Sequence, residues 1–94
     1  MSEEDIQFVR RLHSACNELG INACSAPGVW VVMFREIVPN GSSFTAGDYS
    51  HYDKSLRRHF VDSHGYRVGT WEFPALSGNE TDEELKKTIA SMFK

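Results

Sequence analysis

The side chains with the sharpest chemistry in these 94 residues are two cysteines and four histidines. His13 and Cys16 lie three apart, a spacing that puts them on one face of a helix. Cys24 with one of His51, His59 or His64 could then complete a tetrahedral zinc set. No pair has the CxxC or HxxxH spacing of a zinc site, however. Cys16 also falls in an apolar stripe, where a thiol behaves as a small hydrophobe. The simpler reading is a packed Cys16 with surface histidines, and it needs no metal and no other cofactor. Cys24 stands in a loop of small residues and would need a base within hydrogen-bond reach to act as a nucleophile. Spacing supplies no such base, so no catalytic residue is assigned, and a small oligomeric enzyme using Cys24 or a histidine stays an alternative. The GxSxG elbow, the GxxxxGKS/T phosphate loop and the GxGxxG turn are all missing. The acidic residues Glu80, Asp82, Glu83 and Glu84 read as charges that offset a helix dipole.

One region is locally basic. Between Asp48 and Arg67 stand Lys54, Arg57, Arg58 and Arg67, with three aspartates and three histidines among them. Tyr49, Tyr52 and Tyr66 lie nearby in sequence. Arginine beside aromatics suits phosphate contact and base stacking, and it equally suits a protein interface. Further on, strict alternation puts Arg67, Gly69, Trp71 and Phe73 on one face of a strand. Trp71 there is either core or, if that face is open, an anchor for a partner.

The elements that would position these groups follow from periodicity. Residues 2–19 read as a helix with Ile6, Val9, Leu12, Cys16 and Leu19 inward, widened by Phe8 and Ala15 and ended by Gly20. Residues 22–28 read as a loop, and Val29 to Val38 as a strand apolar on both faces, with Trp30 in it. Pro39-Asn40-Gly41 signals a turn, and Ser42 to Thr45 a short return strand. Asp48 to His64 reads as a second helix, with Tyr49, Tyr52, Leu56, Phe60 and at its border His59 as its stripe and Lys54, Arg57 and Arg58 on its opposite side. Tyr66 to Phe73 reads as a strand in which Gly69 hints at a bulge. Thr81 with Glu84 opens a last helix that turns Leu85, Ile89, Met92 and Phe93 inward. The expected order is α-β-(β)-α-β-α, a single α+β domain over 1–94 with helices packed on two or three strands. So few strands leave an open edge that invites a second chain, including a second copy.

Composition sets the remaining bounds. The net charge of −3 and an estimated pI of about 5.7 argue against a dedicated nucleic-acid binder. No secretory leader or membrane-length apolar run is visible, so a reduced, cytoplasmic, soluble protein is expected. The reading that survives is a small interaction or regulatory module using Lys54, Arg57, Arg58, Arg67 and Trp71 against another protein. A nucleic-acid-binding regulator is the alternative.

Overall fold

A computed structural model describes residues 2–25, 31–37 and 43–93. The first helix, α1 (Glu3–Glu18), begins where the Ser2 hydroxyl accepts from the Asp5 amide at 3.2 Å. Hydrogen bonding from Ser2, its hydroxyl first, also holds the Asp5 carboxyl below its usual range. Gly20, at φ 74°, supplies the left-handed step that ends the helix. Phe8, Leu12, Ala15 and Cys16 are buried, whereas Ile6 is exposed. The inward stripe is thus rotated from the expected one. The last helix, α2 (Asp82–Phe93), opens on the expected reciprocal cap. The Thr81 amide donates to Glu84 Oε1 at 3.0 Å, and the Glu84 amide donates to Thr81 Oγ1 at 3.2 Å.

Between the helices the described residues form five strands, β1 (Asn22–Cys24), β2 (Val31–Ile37), β3 (Ser43–Ser50), β4 (Leu56–Val61) and β5 (Arg67–Phe73). They pair antiparallel in chain order, β1-β2-β3-β4-β5, as one meander. The domain is α+β as expected, but with two helices and five strands rather than three helices and two or three strands. The expected loop 22–28 is a strand over Asn22–Cys24, and the short return strand runs on to Ser50. Trp30 and the Pro39-Asn40-Gly41 turn lie outside the described residues.

The expected second helix, Asp48 to His64, is absent. Tyr49 and Leu56 are seven apart, a helical repeat of two turns, yet they pair directly across a hairpin. A spacing of seven fits both geometries, and the turn chemistry decides between them. Ser55 N donates to Asp53 Oδ1 at 3.1 Å, Lys54 takes the left-handed φ of 57°, and Ser50 N donates to the Ser55 carbonyl at 3.0 Å. These contacts close a turn that a helix cannot pass through. Hydrogen bonds from the Ser55 hydroxyl and then the Ser55 amide hold the Asp53 carboxyl below its usual range.

Two rows of paired residues cross the face that the helices cover. Val32, Tyr49, Leu56 and Phe73 form the first, and Phe34, Gly47, Arg58 and Trp71 the second. Phe8, Leu12, Cys16, Leu85, Ile89 and Met92 close over the first row. Phe8 meets Tyr49 with ring centres 6.1 Å apart, and Phe93 meets Phe34 edge-on at 5.9 Å. A β-carbon at Gly47 would stand 2.5 Å from the Arg57 carbonyl, so only glycine lets Phe34 and Phe93 pack here. Arg11 fastens the two helices by donating to Asp82 Oδ1 at 2.8 Å and to the Glu80 carbonyl. Lys86 adds an exposed tie to Glu18.

Candidate functional site

The sequence-derived candidates come together only in part. Lys54 sits in the β3–β4 turn, half-buried, with its carbonyl accepting from Leu76 N at 2.9 Å. Arg57 and Arg58 are neighbours on a strand and therefore point to opposite faces, rather than lying on one side of a helix. Arg57 donates to Asp48 Oδ1 at 2.9 Å on the face without helices. It also borders an open depression of about 270 Å³, shared with Ser50, Asp53, Ser55 and Glu72. Arg58 lies on the helix-covered side, its guanidinium 4.6 Å from the Phe93 ring centre and 5.7 Å from that of Phe60. It is the last cation before the second row reaches solvent at Trp71, which is 62% exposed.

Arg67 and Trp71 do not share a face. Phe60 pairs with Gly69, but Val61 pairs with Arg67, so Val68 is an extra residue in β5. The bulge stands next to Gly69, where the sequence hinted at one. It puts Arg67 in step with Arg57, His59 and Glu72 on the uncovered face, and leaves Trp71 in step with Arg58. Around the bulge, Phe60 (46%), Val68 (69%) and Tyr66 (73%) are also exposed. The distal β4–β5 hairpin, which continues past the last β3–β4 pair at Gly47 and Arg58, is an arm with apolar side chains in water. Its outer strand, β5, has no strand beyond it among the described residues. Asp62 shapes the arm's tip by accepting from His64 N at 2.9 Å and Tyr66 N at 3.0 Å.

Sequence reasoning missed a polar relay on the uncovered face. His59, only 2% exposed, contacts Asp48 Oδ2 through Nε2 at 2.9 Å and Thr70 Oγ1 through Nδ1 at 3.1 Å. The carboxylate can only accept, so Nε2 carries a proton. The neutral ring then offers its Nδ1 lone pair to the Thr70 hydroxyl. The relay ties β3, β4 and β5 together, and it leaves the exposed Thr70 hydroxyl polarised by an imidazole. Its three members are spaced by eleven and eleven residues, one hairpin repeat each. Only a reading of 43–73 as strands could have exposed that spacing as a signal.

The metal and thiol candidates separate. Cys16 is fully buried, and burial pushes its thiol up to about 12. Cys24 is exposed beside Arg35, whose Nε lies 3.3 Å from the sulfur. His13 Nε2 meets Ser25 Oγ at 3.2 Å, and burial lowers its ring below the usual histidine range. Among the described residues no three histidine, cysteine or acidic side chains converge as metal ligands. No helix among them is long and apolar enough to cross a membrane. No protein-family model, curated protein or solved structure matches the chain.

Proposed function

We propose that the chain is a protein-interaction module in which the helix-backed sheet is the scaffold and the β4–β5 arm is the binding surface. The observation that carries this reading is Trp71, 62% exposed on an outer strand. An aromatic in water at the end of an otherwise covered row is the kind of anchor that dominates interface energy. A bare strand edge adds main-chain donors and acceptors for an extended segment of a partner. Trp71, Phe60 and Arg58 would hold the partner on one side of the arm, and Arg67 and Arg57 on the other, with Lys54 at the base. The His59 relay stiffens the arm and so reduces the entropy lost on binding. A reducing compartment such as the cytoplasm suits the free Cys16 and Cys24 thiols.

The nucleic-acid alternative draws less support, since the cations split between two faces and Arg57 is neutralised by Asp48. The Asp48–His59–Thr70 relay favours a second reading as an acyl-transfer site at Thr70, for which activated-ester turnover abolished by Thr70→Val is the check. The test of the main reading is affinity capture from host lysate with wild-type chain and Trp71→Ala, each with and without nuclease. Nuclease-resistant partners lost from Trp71→Ala, with an unchanged melting curve, are expected. Equal capture by both chains would remove the arm as the site.

A further inference from the structure

The outer edge of β5 carries its own complement. Its ladder positions, fixed by the pairing to β4, run Phe73, Glu72, Trp71, Thr70, Gly69 and Arg67, with Val68 bulged out. Suppose an identical strand is laid antiparallel along that edge, with the two-fold axis perpendicular to the sheet and midway between the two Thr70 residues. Thr70 then faces Thr70 of the second copy. Trp71 faces Gly69, and Glu72 faces Arg67, each pair occurring twice.

All three matches are favourable kinds of cross-strand pair. Threonine pairs and opposite charges stabilise facing positions, and an aromatic over glycine covers backbone that would otherwise be open. The bulge is what makes the charges meet. In an unbulged strand centred on Thr70, Glu72 would face Val68. Removing Val68 from the ladder brings Arg67 into that place and onto the same face as Glu72. Among the described residues neither Arg67 nor Glu72 forms an ion pair within its own chain. Charges and bulges on an edge commonly repel a second strand. Here the two charges have opposite signs and symmetric places, so the edge repels a strand of wrong register and accepts its own copy.

Resting on the reading of the arm as an interaction surface, we infer that the occupant of the β5 edge is β5 of a second copy, joining two five-stranded sheets into one. The pairing gives each two-stranded arm two further strands as neighbours, where an isolated hairpin is marginal in water. It also covers Trp71 and draws the two Arg67–Glu72 pairs together.

The test is sedimentation equilibrium of the full chain as wild type, Arg67→Glu, Glu72→Arg and the double reversal, with circular dichroism to verify folding. Wild type is expected to dimerise. Each single reversal sets like charges opposite one another twice and is expected to weaken association by about tenfold or more. The double reversal should restore it, and so should an equimolar mixture of the two single variants, in which both pairs reform between unlike chains. Rescue by mixing is specific to a two-fold contact that pairs these two positions. A wild type that stays monomeric overturns the inference, as does a dimer indifferent to both reversals. Trp71-dependent capture of a different protein by a monomer would overturn the second copy alone and leave the interaction module standing. Loss of both self-association and capture would remove the arm reading itself.

Discussion

Two neighbouring rows of the same sheet end differently. Val32, Tyr49, Leu56 and Phe73 are covered along their length, with Phe73 partly buried at the margin. One step further, Phe34 and Gly47 lie under Phe93, Arg58 stacks at its rim, and Trp71 stands in water. Phe93 is the last described residue of α2, and nothing among the described residues covers the arm beyond it. Tyr49, deep in the covered row, has its hydroxyl pushed up to about 12 by burial, the mark of a site closed to water. The contrast separates two uses of apolar side chains, one to hold the fold and one left open for another surface.

Breaking each row should therefore have opposite consequences. Phe34→Ala empties a fully buried ring site and is expected to cost about 3–5 kcal/mol in urea denaturation, enough to unfold much of a small domain. Trp71→Ala, in the adjoining row, should change stability by no more than about 0.5 kcal/mol. It should nevertheless weaken partner binding by about thirtyfold, measured by titration against the captured partner. Reversed sensitivities would mean that Trp71 is core and the arm is covered.

The relay sharpens the same comparison, because it links the covered body to the arm. His59→Leu leaves Asp48 and Thr70 without their shared partner and is expected to cost about 1–3 kcal/mol. Hydrogen exchange should quicken first in β4 and β5 rather than in the helices. The smallest effect concerns the segment leading into α2. Burial tends to raise the Glu80 carboxyl, but the Ser77 and Gly78 amides, at 2.8 and 2.9 Å, outweigh it and lower the group below its usual range. A carboxyl lowered by folding stabilises at neutral pH, and that contribution fades as acidification protonates it. Glu80→Gln should cost about 0.5–1 kcal/mol near pH 7, and the gap to wild type should close below the ordinary glutamate range. Melting curves across pH would register both.

The helical ends of this fold were legible because their signals are local. Ser2, Gly20, Thr81 and Glu84 act within one turn of chain, and each does what its type and place imply. The middle is not legible from spacing, because Tyr49 and Leu56 satisfy a helix and a hairpin equally, and Asp53 and Lys54 carry the deciding turn. Arg67 and Trp71, expected on one face of a strand, stand on opposite faces, because a bulge at Val68 breaks the alternation that sequence counting assumes. Phe60, expected on the inward stripe of a helix, is exposed because the segment is a strand that runs beyond the helices. The relay could not be seen at all until 43–73 became strands. Contacts made across strands depend on register, and register is set by turns and bulges rather than by composition.

The most direct measurement is residue-level hydrogen exchange of the full chain at low and high concentration. Slowing confined to 66–73 is expected as concentration rises, with amides of α1 and α2 unchanged, because the added strand docks on the β5 edge. Slowing on the helices instead, or no slowing anywhere, would contradict the claim that the bare edge of the arm accepts a strand from a second copy.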